Sequence, residues 1–149
     1  MSLLKGWFGA FSKVSQKKTS GAPHPISDGE VLARFVFDKQ HIRKSPSLAI
    51  KPAAFLPNPT DMRTSVFRKD YMDESYYSVV MNKVSQARGG RKIKATALVV
   101  ATDVIAAGVK VTPEETEHKW HADIESWPEE KHERMRIAQE LAAKSVLEQ

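Results

Sequence analysis

EHKWHADIESWPEE, residues 117–130, decides how this chain is read, because it contains a change of period. In HADIE the polar residues His121, Asp123 and Glu125 alternate with Ala122 and Ile124, the two-residue period of a half-buried strand. On such a strand those three polar side chains share one face, and His118 points to the other. SWPEE then breaks the alternation. Ser126, Trp127, Pro128 and Glu129 fit a capping box, with proline in the first turn of a helix. Beyond it, Ile137, Ala138, Leu141, Ala142 and Leu147 recur at helical spacing, and Glu129, Glu130 and Glu133 suit the helix's positive end. The stretch therefore predicts a strand, a tight corner and a long C-terminal helix from Pro128 to about Leu147.

The rest of the chain gives the same mixture. Ser27-Asp28-Gly29-Glu30 resembles a capping box, with Ile26 and Val31 as a hydrophobic staple, and predicts a short helix. TSVFRK (64–69) predicts a strand. DESYYSVVMNKVSQARGG predicts a helix capped by Asp73, with Tyr77, Val80, Met81 and Val84 on one face and Gly89 as its stop. KIKATALVV predicts a strand, a single turn of helix follows at VIAA, and Gly108 leads into a further strand at VKV. Residues 40–62 hold four prolines and predict an irregular loop, although Leu48, Ile50, Phe55 and Leu56 want burial. Strands and helices do not alternate strictly, so the fold class is α+β. It is expected as a single compact domain over 26–149, with a few short strands. Residues 16–25 form a Pro/Gly-containing linker. Residues 1–15 are read as a separate amphipathic helix that presents Trp7, Phe8 and Phe11 to a protein partner.

Composition narrows the function classes. The 149 residues contain no cysteine, which excludes disulfides and thiolate metal sites. No apolar run approaches the roughly 20 residues that span a bilayer, and the N-terminus lacks a secretory pattern, so a cytoplasmic location is expected. The net charge of +5 is unevenly placed. Residues 1–94 carry 17 Lys/Arg against 7 Asp/Glu, whereas residues 95–149 carry 6 against 11. A basic body with an acidic C-terminal part suits a protein that offers one face to an anion, nucleic acid included.

Three constellations carry candidate chemistry. His118 and His121 invite a metal reading with Asp123 or Glu125, but their spacing is not that of a helical zinc motif, so no metal and no cofactor are expected. His121 instead reads as a general acid/base or as a hydrogen-bonded corner residue. Lys51, Ser65 and Arg68 form a second group, which Arg34 and His41 could join. Arg68 suits bidentate phosphate or carboxylate recognition, or a structural pairing with an acidic residue. Arg88, Arg91 and Lys92 surround Gly89 and Gly90 in a basic loop that could hold a phosphate backbone. No P-loop, GxGxxG, HExxH or zinc-finger spacing occurs.

The chain also resembles a group of small bacterial proteins in the order of four motifs. These are R-F (34–35), K-P-x-A-F-x-P (51–57), S-V-F-R (65–68) and H-A-x-I-x-x-W-P (121–128). The resemblance covers roughly residues 30–145. It implies a bacterial origin and one compact domain but transfers no activity. It groups Arg34, Lys51, Phe55, Ser65, Arg68, His121, Trp127 and Pro128 as positions to test together.

Three functions follow as expectations, nucleic-acid binding by the charge-polarised domain alone being the last of them. The first is an accessory protein that binds a macromolecular partner through its N-terminal helix and an anion through its basic body. The second is a small metal-independent enzyme acting on a nucleotide or phosphodiester. There His121 and Ser65 would be catalytic, and Lys51 and Arg68 would hold the phosphate.

Overall fold

Alternation along the first strand, β1 (Val31–Val36), organises two hydrophobic layers. Leu32 and Val36 point to one side, Ala33 and Phe35 to the other, and all four are buried. The computed structural model describes residues 22–148; the amphipathic segment with Trp7, Phe8 and Phe11 lies outside them. After β1 come two short paired strands, β2 (Ile42–Arg43) and β3 (Ala49–Ile50), then β4 (Thr64–Arg68) and helix α1 (Glu74–Ala87). Strand β5 (Ala95–Val100) runs directly into α2 (Ala101–Ala106), followed by β6 (Lys110–Pro113) and β7 (His121–Glu125). Helix α3 (Lys131–Lys144) and the short β8 (Val146–Leu147) complete the described chain. The main sheet has the order β6-β7-β4-β1-β5-β8, with every pairing antiparallel. The fold is α+β, with the expected long C-terminal helix followed by the short β8.

One face of the sheet supplies Leu32, Val66, Val99, Ala122 and Ile124. They pack with Phe55, Trp127 and the Ile137, Ala138 and Leu141 stripe of α3. The other face supplies Ala33, Phe35 and Phe67, which meet Tyr77 and Val80 of α1. The α1 boundaries follow the sequence signals. Asp73 accepts a hydrogen bond from the Tyr76 N–H at 2.8 Å, and Gly89 leaves the helix at φ 71°. Within the proline-rich loop Phe55 is fully buried, whereas Leu48 is exposed.

Two helix starts differ from expectation. Ser27 and Glu30 do bond each other in capping-box fashion, with the Ser27 N–H 3.0 Å from Glu30 Oε1. The segment nevertheless makes a turn that delivers β1, because Glu30 is drawn to Arg68 and no helix follows. At the second corner Ser126 takes a left-handed conformation, φ 65°, and caps nothing. The cap is Glu130, which accepts from the Glu133 N–H at 2.9 Å, so α3 begins at Lys131. It also ends earlier than its apolar stripe suggests, since Leu147 leaves it to pair with Ala97 in the sheet. Trp127 is the expected core anchor, and its indole N–H donates to the Ile124 carbonyl at 3.1 Å.

Arg68 is the largest fully buried side chain. Its guanidinium donates to Glu30 Oε2 at 2.5 Å and Oε1 at 3.0 Å, and to the carbonyls of His24 and Pro25 at 2.7 and 2.9 Å. Tyr71 lies 4.7 Å from it, stacked in turn on Trp120 at 4.3 Å. The residue read as an anion ligand thus holds the chain entering the domain. Replacing Arg68 by Met strands a buried carboxylate and should cost about 3–5 kcal/mol in chemical denaturation. Replacing Glu30 by Met in the same chain should recover part of that loss, since the stranded charge is then gone.

Candidate functional site

β4 and β7 are neighbours, with Ser65 opposite Asp123 and Phe67 opposite His121. Because alternate residues share a face, Ser65, Phe67, His121 and Asp123 all project to the α1 side of the sheet. The core on that side is built from β1, β4 and α1, and these polar residues lie beside it toward β6. His121 packs edge-on to Phe67 at 5.1 Å between ring centroids, and its side chain is 13 % exposed.

The diagonal contact between these strands is the closest in the cluster. Ser65 Oγ lies 2.6 Å from His121 Nε2. On the opposite edge of the ring, Nδ1 is 2.7 Å from the Glu114 carbonyl oxygen and 3.2 Å from Glu114 Oε1. A carbonyl oxygen only accepts, so Nδ1 carries the proton and donates it. In the neutral ring Nε2 then presents its lone pair, and the Ser65 hydroxyl donates to it. Ser65 and His121, separated by 56 positions in the chain, are therefore arranged as hydroxyl and base, with Glu114 orienting the base.

Glu114 is the residue that sequence reading missed. It follows β6, and the pairing of Pro113 with Ala122 places it across from His121, where its N–H donates to the His121 carbonyl at 2.9 Å. The hairpin register was the only signal that could have revealed it. Glu125, the acid expected beside His121, is engaged elsewhere: the Thr112 hydroxyl donates to it at 2.5 Å and Arg63 stands 3.6 Å away. His118 also departs from expectation. β7 begins only at His121, after a left-handed Trp120 (φ 69°), and the His118 ring meets Phe67 on the same side as His121.

Asp123 completes the cluster. Its side chain is 10 % exposed, Arg63 stands 3.7 Å away and His121 Nε2 3.8 Å away. Burial raises its carboxyl above the ordinary value, opposed by His121 and Arg63 and reinforced by Glu114. Glu114 shifts the other way: the Thr116 hydroxyl donates to its carboxylate and holds it lower. Two carboxyl groups flanking one imidazole are thus pushed apart in acidity. One donor atom from each of Glu114, His121 and Asp123 lies within 4.8 Å of the others.

The basic residues do not join this cluster. Arg68 is committed to Glu30 and two carbonyls. Lys51 is exposed and opens the turn Pro52–Ala54, which packs against α3 on the other side of the sheet. Arg34 approaches from behind. It donates to the Ala54 carbonyl at 2.8 Å and to the Ser65 carbonyl at 3.0 Å, and burial, reinforced by Arg88, pushes its pKa down to about 10. Arg88 and Arg91 lie over the Phe37 ring at 4.6 and 5.9 Å, and Lys92 is exposed beside them. No helix among the described residues is long and apolar enough to cross a membrane.

No protein-family model matches the chain, and no curated protein or solved structure matches it either. The chemistry therefore rests on the cluster itself. Arg34 is the one basic residue of the four-motif group that touches a cluster residue, and it does so through backbone. Arg34→Leu leaves two carbonyls unpaired and should lower stability by about 1–3 kcal/mol in denaturant titration, with Arg34→Lys intermediate because it lacks the fork that reaches both.

Proposed function

We propose that the protein is an enzyme of acyl transfer or hydrolysis, with Ser65 as nucleophile and His121 as general base. The observation that carries this reading is the 2.6 Å approach of Ser65 Oγ to His121 Nε2, on a ring whose Nδ1 is held by Glu114. As Oγ bonds to a substrate carbonyl carbon, its proton passes to Nε2 and the carbonyl π pair moves onto oxygen. Collapse of that adduct expels the leaving group, which takes the proton back from Nε2. Water then attacks the acyl-Ser65 ester by the same route in reverse. Glu114 keeps the correct ring nitrogen protonated and stabilises the imidazolium that forms.

The substrate is a neutral ester, thioester or amide rather than a phosphodiester. Glu114, Asp123 and Glu125 surround the dyad with Arg63 as their counter-charge, and a phosphate would meet carboxylates there. Lys51 and Arg68, expected to hold a phosphate, are engaged or placed elsewhere. The test is acylation by p-nitrophenyl acetate, followed by intact-mass and peptide mapping. The acyl group should sit on Ser65, Ser65→Ala should abolish it, and His121→Gln should slow it by about 10²–10⁴-fold with the melting temperature retained. An unacylated, folded wild-type chain would refute the assignment.

The basic loop supports a second activity on a separate surface, polyanion binding. Arg88 and Arg91 over Phe37, with Lys92 beside them, set cationic groups around a ring. In this reading the accessory role remains with the loop and with Trp7, Phe8 and Phe11. Affinity for a fluorescent DNA duplex should fall as salt rises, and Arg88→Glu with Arg91→Glu should weaken it at least tenfold at low salt. Salt-independent binding, or binding that the double variant leaves intact, removes this reading.

A further inference from the structure

We propose that Glu114, His121 and Asp123 bind a divalent transition-metal cation, and that this cation and the Ser65 hydroxyl compete for the same nitrogen lone pair. The site itself stands apart from the acyl-transfer reading; the consequence of the competition rests on it.

Three observations converge. The first is the donor set: one imidazole nitrogen and two carboxylates, with one donor from each residue inside a span of 4.8 Å. A tetrahedral ion with ligands at about 2.0–2.2 Å holds its donors roughly 3.3–3.6 Å apart. His121 Nε2 and Asp123 Oδ1 stand at 3.8 Å, so they need little movement. Glu114 must move further: its Oε1 now lies 3.2 Å from Nδ1 on the opposite edge of the ring, so its one-third-exposed carboxylate must leave the Thr116 hydroxyl and turn to the Nε2 side.

The second is the orientation of the histidine. Its Nδ1–H is fixed on the Glu114 carbonyl, which leaves Nε2 as the ligating nitrogen. Metal-bound histidines are held in this way, with the second ring nitrogen donating to a carbonyl or carboxylate. The third is Asp123. Its carboxylate is nine-tenths buried and accepts no hydrogen bond among the described residues, and its charged neighbours stand at 3.7 and 3.8 Å. Arg63 offsets part of that charge from 3.7 Å, and an ion in direct contact would supply the close partner the carboxylate lacks.

Ligand chemistry selects the ion. A set with imidazole nitrogen suits zinc, cobalt or a similar first-row ion; calcium and magnesium prefer an all-oxygen shell. Ser65 Oγ, now 2.6 Å from Nε2, stands where the ion would sit and must turn away for it to enter; three protein ligands then leave a fourth position to solvent. An ion on Nε2 removes the acceptor that would take the Ser65 proton, so the loaded protein cannot activate its nucleophile. The cation is an inhibitor of the serine chemistry rather than its cofactor.

The experiment titrates Co²⁺ alone into the chelator-treated full chain. Visible d–d absorption is the readout, and Zn²⁺ displacement by calorimetry confirms stoichiometry. Saturable one-to-one binding is expected. Asp123→Asn and Glu114→Gln should each lower affinity at least ~10-fold. His121→Ala should abolish binding, and Ser65→Ala should bind at least as tightly as the wild type. Circular dichroism shows that each variant is folded; should His121→Ala unfold, the half-exposed Glu114→Gln decides the matter. His132→Ala serves as the control, because His132 and Glu130 form an exposed pair on α3 that could also attract the ion. Absence of saturable binding, or binding lost in His132→Ala but kept in Asp123→Asn and Glu114→Gln, overturns the site. Acylation of Ser65 is then followed with and without Zn²⁺. Unslowed acylation of the loaded protein removes the competition, whereas metal binding to a chain that is never acylated leaves the site standing and refutes the serine chemistry instead.

Discussion

The buried pair between Arg68 and Glu30 is the constraint on which the rest of the structure depends. An arginine with no solvent exposure must find acceptors inside the protein, and Arg68 finds four. Two belong to Glu30, which fixes the turn that starts β1. Two are carbonyls of His24 and Pro25, which bring the entering chain onto the sheet. The backbone of the same residue donates from its N–H to the Trp120 carbonyl at 2.8 Å, at the residue where the chain turns left-handed before β7. His121 is the next residue. The side chain that anchors the N-terminal entry therefore sits on the residue that sets the register of the candidate site.

A second arginine solves a different problem. β1 and β4 pair only at Leu32 with Arg68 and at Ala33 with Phe67, and then the ladder stops. Arg34 fills the opening beyond it by donating to the Ser65 and Ala54 carbonyls, groups that the sheet itself leaves without a partner. On the opposite side Phe35 stacks on Phe67 at 5.2 Å, so the two strands stay in contact through side chains where backbone bonds end. Both arginines look, in the sequence, like ligands for an anion. Both bind backbone carbonyls, because a long side chain with a rigid fork of donors is also the best means of satisfying buried oxygen atoms.

Local signals were reliable where the interaction itself was local. Asp73 caps α1 and Gly89 ends it, as a turn of chain around each residue requires. TSVFR and HADIE are strands because their alternation matches a sheet with two different faces. The same signals misled where a distant partner intervened. Ser27 and Glu30 make one contact of a capping box, yet Arg68 holds Glu30 in the turn that precedes β1. Ser126 precedes a proline in the expected order, but the left-handed corner hands the cap to Glu130. Leu147 continues the apolar stripe of α3 and still leaves it, since β5 has an unpaired edge that Val146 and Leu147 can complete.

By itself, the sequence determined that this is an α+β chain, that Trp127 anchors a corner, and that His121 and Asp123 share a strand face. Each of these follows from periodicity or from contacts within a few residues. Only the tertiary structure decided which partners His121 meets. Ser65 arrives from a strand 56 positions earlier and Glu114 from across a hairpin, and their meeting depends on strand order and register, which no local pattern encodes. It also withdrew Arg68 and Lys51 from the site. The physical reason is that a charged side chain is assigned by the acceptors it can reach in three dimensions, and sequence spacing does not measure that reach.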